Sequence, residues 1–350
     1  MGRFAPSQLD IDDKAILVTG GTGSFGRRFV ETALARGRPR KLIVYSRDEL
    51  KQSEMQMDLV ERFPTDRLGC MRYFIGDVRD RERLTLALRG VDIVIHTAAL
   101  KQVPAAEYNP SECVHTNVLG AENVVWGCIA NQVQQVVALS TDKACNPTTL
   151  YGATKLASDK TFVAANNLAG EAGTRFSVVR YGNVMGSRGS VAPIFQRLLA
   201  KGAPELPITD PRMTRFCITP DQGVDFVFSS LPMMRGGEIF VPKIPSMRIT
   251  DLAAAMAPDK PVKVIGIRAG EKLHEMMVSA DDARATVDLG DRYAIEPSFA
   301  DYEREPLLGA RLPEGFSYSS DTNDDWLTGE ALLQLLSDSV PQQRRRRATD

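Results

Sequence analysis

One stretch of this chain brings together side chains that could oxidise an alcohol. Residues 140–143, Ser-Thr-Asp-Lys, follow an apolar run, and Tyr151 stands four residues before Lys155. On a helix, residues four apart share one face. A lysine there can lower the pKa of the phenol, so that Tyr151 can remove a hydroxyl proton while hydride leaves the same carbon. A Tyr-x-x-x-Lys spacing alone often arises by chance, but after an apolar strand and Thr141-Asp142-Lys143 it is a specific signal.

A cofactor for such a reaction is predicted near the amino terminus. Residues 15–18 are typical of a buried first strand, and a glycine-rich loop and a helical pattern follow directly. The Gly-x-x-Gly-x-x-Gly spacing differs from the Gly-x-Gly-x-x-Gly dehydrogenase fingerprint, yet it serves the same tight turn, pyrophosphate approach and helix packing. A turn without a ligand is the alternative, which the flanking strand and helix disfavour. The loop residues predicted to bind the cofactor are Gly20, Thr22, Gly23, Ser24, Phe25 and Gly26.

The residues after the second strand bear on the choice between NAD and NADP. An acidic residue at this strand end selects NAD by binding the ribose hydroxyl, whereas an arginine accommodates the additional phosphate of NADP. Ser46 and Arg47 come first here, and Lys51 lies one helical turn beyond them. Asp48 could instead be the ribose ligand, or it could cap a helix. We therefore predict NADP, with Ser46, Arg47 and Lys51 as contacts.

Later strand ends supply further candidates for cofactor binding. Asp77 after the third strand suits a contact with the adenine edge, although aspartates are also common in turns. Small residues follow the fourth strand, where the backbone must pass close to the pyrophosphate and ribose. His96, at that strand end, is predicted to be packed rather than catalytic. The predicted contacts in these segments are Asp77, Val78, Ala98, Ala99, Lys101 and Asn117, together with Tyr151 and Lys155.

Apolar strands alternate with helical patterns through the first half of the chain. After residues 15–18, strands are predicted at 41–45, 73–75, 91–96, 136–139 and 177–179. The intervening stretches are long enough for crossover helices, which predicts an α/β, Rossmann-type, doubly wound parallel sheet. The predicted organisation is an extension (1–13), an NADP-binding Rossmann domain (14–185), a smaller, partly interleaved C-terminal substrate-binding domain (186–340) and a basic tail (341–350).

Composition and charge restrict the class of protein. The 350 residues carry a net charge of −1, which argues against a general nucleic-acid or membrane surface. Four arginines in the tail favour a solvated, disordered end over a nucleic-acid or lipid patch. Five scattered cysteines without a Cys-x-x-Cys pair, and only three histidines, predict reduced thiols and no metal site. No run of apolar residues approaches membrane-spanning length and no signal peptide is evident, so we expect a cytoplasmic protein.

The motifs resemble those of a known family. The three spaced glycines, the Tyr151/Lys155 pair and the chain length resemble an extended short-chain dehydrogenase/reductase acting on nucleotide sugars. Within that family, the chain is similar to one branch, the inverting UDP-N-acetylglucosamine 4,6-dehydratases of pseudaminic acid biosynthesis. The resemblance runs from about Lys14 to Leu335, and the segments that carry it are residues 45–55, 140–144, 150–155 and 270–275.

The resemblance implies a reaction and a role for each residue of the cluster. UDP-N-acetylglucosamine would be oxidised at C4, lose water across C5 and C6, and take hydride back at C6. Asp142 is implied as the acid, Lys143 as the C5 base and Tyr151 as the assistant in oxidation, with Thr141 bonded to sugar O4. A lysine is a base near neutral pH only if burial or nearby cations depress its pKa. The alternative for Lys143 is a structural role, as a salt bridge to Asp142 or another neighbour. The resemblance also implies inversion at C5, because Lys143 occupies the position at which the retaining enzymes have a glutamate.

Substrate handling is predicted mainly in the second half of the chain. Asn183 follows the sixth strand, and arginines suit the bidentate contacts that a diphosphate needs. Each arginine is equally compatible with a surface salt bridge, but the resemblance places residues 214–216 and 271–272 near the nucleotide. His274 is predicted to pack against the Glu271 carboxylate. The predicted substrate contacts are Lys101, Thr141, Asn183, Arg188, Arg215, Arg268 and Glu271, and Arg248 is a further candidate cation.

Three other functions stay open at this point. A retaining UDP-sugar dehydratase is the nearest of them. A nucleotide-sugar 4-epimerase shares the fold, the cofactor and the Tyr151/Lys155 pair, but does not need Asp142 and Lys143. A non-catalytic NADP-sensing regulator ordinarily lacks the tyrosine–lysine pair. The superfamily commonly pairs through two helices, here residues 111–130 and 151–167, which implies a homo-oligomer, either a dimer or a dimer-based hexamer.

Overall fold

The computed structural model describes residues 3–170, 173–187 and 190–338. The strands are Ala15–Thr19 (β1), Lys41–Ser46 (β2), Met71–Ile75 (β3), Ile93–His96 (β4), Gln135–Thr141 (β5), Arg175–Tyr181 (β6), Asn183–Val184 (β7), Leu206–Ile208 (β8), Thr214–Ile218 (β9), Ile239–Pro242 (β10), Ser246–Arg248 (β11), Val262–Val264 (β12), Met276–Val278 (β13), Thr286–Asp288 (β14), Arg292–Ile295 (β15), Ala310–Arg311 (β16) and Tyr318–Ser319 (β17).

The helices that connect and flank these strands are Ser24–Arg36 (α1), Glu49–Arg62 (α2), Thr65–Leu68 (α3), Arg81–Ala87 (α4), Val103–Tyr108 (α5), Pro110–Val114 (α6), Gly120–Ala130 (α7), Leu150–Ala169 (α8), Val191–Ala200 (α9), Pro220–Ser230 (α10), Ile249–Met256 (α11), Ala280–Ala283 (α12) and Gly329–Asp338 (α13). Shorter turns complete the pattern: a π-helical turn at His115–Leu119 and 3₁₀ turns at Asp142–Ala144 and Leu231–Met233.

One large sheet organises the described residues. Its strand order is β3-β2-β1-β4-β5-β6-β10-β15-β14-β16. The strands from β3 to β10 in that order run parallel, and the remaining three join antiparallel. Thr19 is in register with Tyr45 on one side and with His96 on the other, so these strands end together at one edge. The doubly wound, Rossmann-type parallel sheet predicted from the sequence is confirmed.

The central strands lie where the sequence places them, but they extend further. β5 continues to Thr141 rather than stopping at Leu139, and β6 continues to Tyr181 rather than Val179. Thr141 and Tyr181 are still paired in the parallel ladder. Apolar periodicity marks only the buried part of a strand, whereas backbone hydrogen bonding also includes its polar end. Ser140 and Thr141, the first residues of the Ser-Thr-Asp-Lys stretch, therefore lie within β5 itself.

The chain returns to the large sheet after residue 186. β10 is fully buried and pairs parallel with β6, and β15 then pairs antiparallel with β10. β14 and β16 extend the same edge. Segments beyond the predicted boundary at residue 185 thus contribute strands to the main sheet, and the boundary itself stays a prediction.

A second, smaller apolar core lies among the elements of the carboxyl-terminal half. It packs α9, α11 and α13 around the short strands β8 and β11 through buried side chains such as Phe195, Leu206, Met247, Leu252 and Leu332. Fully burying one such side chain contributes roughly 1.5–3 kcal/mol. Three small sheets, β7-β9-β11, β8-β12 and β13-β17, carry the segments that reach the active-site edge from this half.

Polar caps fix where the helices around the site begin. Thr149 accepts a hydrogen bond from the backbone N–H of Gly152 at the start of α8. Thr219 and Gln222 form a reciprocal capping box at the start of α10. Such caps satisfy backbone donors that the first helical turn leaves without partners, and each is worth about 1 kcal/mol.

Among the helices that the structure describes, none combines the length and the apolar character that crossing a bilayer requires. The predicted basic tail (341–350) lies outside the described residues, as does Arg188. The homo-oligomer and its pairing helices stay predictions.

Candidate active site

Two glycines bring the first loop against the loop after β4. Gly20 has φ +63°, a conformation that favours glycine, and a Cβ there would lie 2.9 Å from backbone atoms of Ala98. A Cβ on Gly26 would lie 2.5 Å from Cα of Gly21, so the start of α1 can pack on the loop only with glycine at this position. The predicted roles of both glycines in turning and packing agree with these contacts.

The start of α1 is open to a ligand. Gly23 and Ser24 are exposed there, and no side chain caps the helix. The backbone N–H groups and the positive end of the helix dipole are therefore available to an anion such as a pyrophosphate. Thr22 is nearby, with its hydroxyl donating to Ser46 Oγ at 3.2 Å. The ring of Phe25 stacks on Tyr181 with centroids 6.3 Å apart, which links this loop to the end of β6. These residues fit a bound dinucleotide.

The end of β2 presents a cation to this loop. The Asp48 side chain accepts a hydrogen bond from the backbone N–H of Lys51 at 3.0 Å and also pairs with the Lys51 ammonium. The helix-cap alternative for Asp48 is therefore the one observed. Arg47 is 54% exposed in its side chain, and its Nη1 lies 3.5 Å from Asp77 Oδ2. Of the two cations predicted here, Arg47 is the more open, because Lys51 is engaged within its own helical turn.

Other predicted cofactor contacts are partly engaged by the protein. Asp77 Oδ2 accepts from Arg79 Nη2 at 2.7 Å. Val78 packs so close to the start of α7 that a Cβ on Gly120 would come within 2.8 Å of its side chain. Ala98 and Ala99 are half-buried beside the glycine loop. Lys101 is exposed in the same loop after β4.

Asn117 differs from its prediction as a direct cofactor contact. Its side chain is 1% exposed and bonds both backbone groups of Leu100, accepting from N–H at 2.8 Å and donating to C=O at 2.9 Å. It also donates to Thr154 Oγ1 at 3.0 Å. Asn117 thus fixes the loop after β4 to α8, and its side-chain amide is engaged in hydrogen bonds to Leu100 and Thr154.

His96 is packed in the core, as predicted. Its Nδ1 lies 2.9 Å from Thr19 Oγ1 across the β1–β4 ladder. Burial, reinforced by the charge of Lys155, lowers the pKa of His96 to about 3. The imidazole is therefore neutral at physiological pH.

The central cluster forms where β5 passes into a 3₁₀ turn. Thr141 Oγ1 donates to Asp142 Oδ1 at 2.9 Å and accepts weakly from the backbone N–H of Lys143 at 3.4 Å. α8 packs directly on this turn, because a Cβ on Gly152 would lie 2.3 Å from the carbonyl oxygen of Lys143. The glycine after Tyr151 therefore lets the phenol approach the turn.

Lys143 is held between two carboxylates. Its ammonium lies 3.0 Å from Asp142 Oδ1 and 3.2 Å from Glu275 Oε1. Burial alone would lower the pKa of Lys143, but Asp142 and Glu275 together raise it above its ordinary value. The depressed pKa that a lysine base requires is therefore not found here, and the salt-bridge alternative for Lys143 is observed. Proton transfer within the cluster must precede any role of Lys143 as a base.

The Tyr151 phenol also departs from its predicted titration. Burial raises the pKa of Tyr151 to about 12, while the charge of Lys143 and the nearby Thr141 hydroxyl act in the opposite direction. Lys155 was expected to be the cation that lowers this pKa. Burial instead lowers the pKa of Lys155 itself, and the charge of Asp159 opposes that shift. In the described structure, Lys143 is the cation that favours the phenolate.

A buried polar network that the sequence did not predict lies beneath the cluster. Ser140 Oγ donates to Asp159 Oδ2 at 2.7 Å, and Arg180 Nη2 lies 3.3 Å from the same oxygen. Arg180 is 2% exposed and also donates to the carbonyl of Met277 at 3.0 Å. The network joins β5, α8 and β6 to β13. Helical spacing of Lys155 and Asp159 was the only signal for it in the sequence.

The predicted diphosphate arginines occupy different environments. Arg215 is buried, donates to the carbonyls of Lys272 and Leu273 at 3.0 Å, and lies 3.6 Å from Glu271 Oε1. It therefore fixes the 271–275 segment from within rather than forming a surface salt bridge. Arg268 is exposed, with its backbone N–H donating to Glu271 Oε2 at 3.3 Å. His274 bonds Thr214 Oγ1 at 2.9 Å, so it packs on β9 rather than on Glu271.

Several buried side-chain oxygens of this region have no hydrogen-bond partner among the described atoms. They include Asp142 Oδ2, Asn183 Oδ1 and Glu275 Oε2. Buried acceptors are nearly always satisfied, so oxygens left open at a strand edge mark places where a ligand group can bond. Asn183 thus keeps its predicted availability to a substrate.

Comparison with known proteins assigns the family. A family model described as polysaccharide biosynthesis protein matches residues 16–297. The chain belongs to this family. Two relatives from Campylobacter jejuni, both named UDP-N-acetylglucosamine 4,6-dehydratase (inverting), are 57% and 58% identical over 332 residues, which cover 93% of this chain and 97% of each relative. The resemblance stated from the sequence is confirmed.

The chain is also similar to more distant proteins. A relative from Rickettsia canadensis named UDP-glucose 4-epimerase is 42% identical, over 81% of this chain and 83% of its own. The solved structure of Pen from Bacillus thuringiensis is 33% identical with a TM-score of 0.83, covering 94% of this chain and 99% of that one. A dTDP-glucose 4,6-dehydratase from Streptomyces venezuelae, solved with NAD and TYD, is 24% identical with a TM-score of 0.64, covering 74% of this chain and 86% of that one.

The catalytic cluster contains a charged residue, Glu275, whose place there the sequence patterns do not predict. Glu275 ends the 270–275 segment that carried part of the resemblance, but no spacing argument links it to Lys143. Only the folded chain brings the two within ion-pair distance. Among the described residues, no group of His, Cys, Asp and Glu is placed to hold a metal ion.

Proposed function

We propose that this chain is a UDP-N-acetylglucosamine 4,6-dehydratase that inverts C5, giving UDP-2-acetamido-2,6-dideoxy-β-L-arabino-hexos-4-ulose. The observation that carries the proposal is the Asp142–Lys143 pair, 3.0 Å apart, at the carboxyl end of β5 beside the buried Tyr151. It is supported by relatives of that name that are 57% and 58% identical over nearly the whole chain. The proposal includes a homo-oligomeric, cytoplasmic enzyme.

The first step requires a base at the C4 hydroxyl. Tyr151, as phenolate, takes the proton of that hydroxyl, and Thr141 bonds sugar O4 and orients it. NADP, when bound, would supply the hydride acceptor and donor that the redox chemistry at C4 and C6 needs. Gly20, Gly23 and the open start of α1 would hold its pyrophosphate. The ketone at C4 then acidifies the hydrogen on C5.

The second step requires an acid and a base on neighbouring carbons. Asp142 transfers a proton to the departing C6 hydroxyl, and neutral Lys143 takes the proton from C5 as the C5–C6 double bond forms. The two groups lie 3.0 Å apart, so one proton moved from Lys143 to Asp142 converts the resting ion pair into this acid and base. A proton delivered to the opposite face of C5 completes inversion.

Substrate contacts complete the proposal. Asn183 has a buried side-chain oxygen without a partner among the described atoms, and the side chains of Arg268 and Lys101 are exposed. We assign them to the sugar and the UDP diphosphate, with Glu271 orienting the Arg268 segment. Arg215 acts indirectly, through the carbonyls that it holds.

Incubation with UDP-N-acetylglucosamine in heavy water tests the reaction. We expect NMR to show a 4-keto-6-deoxy sugar with deuterium at C5 and ring couplings of the L-arabino configuration, because C5 loses its proton and regains one from solvent-exchanged groups. A D-xylo product at early times would mean a retaining dehydratase. A C4 epimer without loss of water would support the epimerase that the 42% identical relatives are named for, and an unchanged substrate would leave a non-catalytic role.

The preference for NADP is proposed from Arg47, which is exposed at the end of β2, and from Asp48, which is engaged as a helix cap. Because the reaction is redox-neutral, we expect purified protein to retain NADP. Arg47→Ala is expected to weaken NADP binding about 10- to 100-fold, as the loss of a charge-assisted phosphate contact predicts, with little change for NAD. Calorimetric titration of cofactor-stripped protein measures both affinities.

Arg72→Ala provides the control for that substitution. Arg72 lies on β3 and donates to the carbonyls of Gly69 and Met71, away from the end of β2. Its substitution should therefore leave the affinities for NADP and NAD unchanged. Tighter binding of NAD than of NADP by the unsubstituted protein would contradict the proposed preference.

A further inference from the structure

Glu275 is a buried carboxylate fixed against the catalytic cluster. It is 2% exposed, and its Oε1 lies 3.2 Å from Lys143 Nζ and 3.8 Å from Arg215 Nε. Its backbone is fixed at both ends by Ser320, whose Oγ accepts from the Glu275 N–H at 2.9 Å and whose N–H donates to the Glu275 carbonyl at 2.8 Å. The position of this carboxylate is therefore determined by the surrounding chain.

The charged groups that face Glu275 come from three parts of the fold. Asp142 and Lys143 approach from the 3₁₀ turn, Arg215 from β9, and Lys272 from the same segment as Glu275. Two carboxylates thus share the Lys143 ammonium, while Lys272 donates to the carbonyl of Cys145 and Arg215 donates to backbone carbonyls. Glu271 takes a further part of the Arg215 charge, at 3.6 Å.

The second oxygen of Glu275 has no partner among the described atoms. A buried carboxylate with one open oxygen is costly as an anion and much less costly as a neutral acid. Burial, together with the charge of Asp142, raises the pKa of Glu275, although Lys143, Arg215 and Lys272 act against this shift. Burial of the side chain and the unpartnered Oε2 favour a proton on Glu275, and they act against the two cations beside its Oε1.

We propose that Glu275 is a positioning residue that acts through Lys143, holding its amine beside Asp142 while carrying one of the protons of the three-group cluster. The proposal deepens the proposed dehydration and rests on it. With Glu275 neutral, Lys143 has a single anionic partner in the cluster, Asp142, and the part of its raised pKa that an ionised Glu275 causes is removed. One proton can then pass between those two groups, which a second anion beside Lys143 would oppose.

The protons of the elimination balance in this arrangement. At rest, Asp142 is a carboxylate, Lys143 an ammonium and Glu275 a carboxylic acid. Transfer of one proton from Lys143 to Asp142 gives a neutral amine and a neutral acid. The amine takes the C5 proton, the C5–H electron pair forms the C5–C6 double bond, and the C6 oxygen leaves with its bonding pair and the proton of Asp142 as water. Asp142 and Lys143 end as an ion pair, with Glu275 unchanged.

Glu275→Gln tests this inference, because the amide imitates a permanently neutral Glu275. In the unsubstituted enzyme, kcat should fall with rising pH as Glu275 loses its proton, approaching about tenfold per pH unit. In Glu275→Gln this alkaline fall should disappear, with kcat at its optimum within about tenfold of the unsubstituted value and KM unchanged. Glu275→Asp keeps the titrating group but shortens its reach to Lys143, so it should keep the alkaline fall at a lower kcat.

Thermal unfolding provides a readout that does not depend on turnover. The pKa of Glu275 is raised in the folded protein. The stability that such a carboxyl group contributes to the fold is therefore lost as pH rises from the ordinary glutamate pKa through the raised one. The Tm of Glu275→Gln relative to the unsubstituted protein should therefore increase with pH over that window. Glu238→Gln, which removes a buried carboxylate paired with Arg304 at 2.8 Å elsewhere in the fold, should alter Tm but not the pH profile of kcat.

The outcomes separate this inference from the proposed function. A loss of kcat of about a thousandfold or more in Glu275→Gln at every pH would show that the charge of Glu275 is required, and would overturn the inference. A Tm difference that does not vary with pH would overturn it as well, even in a protein without dehydratase activity. Absence of dehydration by the unsubstituted protein, with the pH-dependent Tm difference present, would refute the proposed reaction and leave the proton on Glu275 established.

Discussion

Lys143→Ala is expected to lower the rate of dehydration by about 10²- to 10⁴-fold, the range typical of losing a general base. The substitution removes the amine that takes the C5 proton, but it leaves Tyr151 and the glycine loop in place. Oxidation at C4 should therefore continue, and reduced nicotinamide should accumulate when UDP-N-acetylglucosamine is added. Absorbance of the reduced cofactor and NMR of the sugar follow the two steps separately.

The same variant should shift the pH dependence of the oxidation. Lys143 is a cation that lowers the pKa of the buried Tyr151 phenol, so its removal should raise that pKa further. Because the phenolate is the form that takes the C4 hydroxyl proton, cofactor reduction in Lys143→Ala should move to higher pH. Lys14→Ala is the control, since Lys14 bonds Gln134 at the opposite ends of the strands. Full dehydration activity in Lys143→Ala would remove Lys143 from the mechanism.

Tyr151→Phe should affect the earlier step. The substitution keeps the buried ring beside the 3₁₀ turn but removes the oxygen that accepts the C4 hydroxyl proton. We expect cofactor reduction and product formation to fall together by about 10²- to 10⁴-fold, with substrate affinity little changed. Stopped-flow absorbance after mixing with substrate measures the reduction directly.

The contrast between the two variants tests the order of steps. Lys143→Ala should accumulate reduced cofactor, whereas Tyr151→Phe should not. Tyr293→Phe provides a matched control, because it removes a buried phenol from β15, outside the catalytic cluster. Accumulation of reduced cofactor in Tyr151→Phe at the unsubstituted rate would assign the first proton transfer to another group.

Sequence patterns predicted the fold and the main parts of the site because these depend on local order along the chain. Apolar runs separated by helical stretches specify buried parallel strands and their crossovers. The glycine spacing after β1 specifies a turn in which Gly20 and Gly26 meet backbone within 2.5–2.9 Å of a Cβ position. The succession from Thr141 to Lys143, with Tyr151 close behind, already placed the reactive groups at one strand end.

The protonation states of those groups depended on the tertiary structure. Glu275 reaches Lys143 from a distant segment, and as an anion it raises the pKa of Lys143, whereas a lysine base requires a lowered pKa. Burial likewise outweighs the effect of the Lys143 charge on the pKa of Tyr151. A pKa depends on every charge and on the solvent around a group, and these come from parts of the chain that no local spacing connects.

The same distinction holds for residues predicted to touch ligands. The chemical types of Arg215 and Asn117 predict contacts with ligands. In the folded chain, Arg215 instead binds the carbonyls of the 271–275 segment, and Asn117 binds the backbone of the loop after β4. Local spacing along strands and helices is enough to specify the Rossmann-type sheet, the glycine loop and the Asp142–Lys143–Tyr151 cluster. Which polar groups stay open to a ligand depends on the folded chain, because buried donors and acceptors first satisfy one another across the fold.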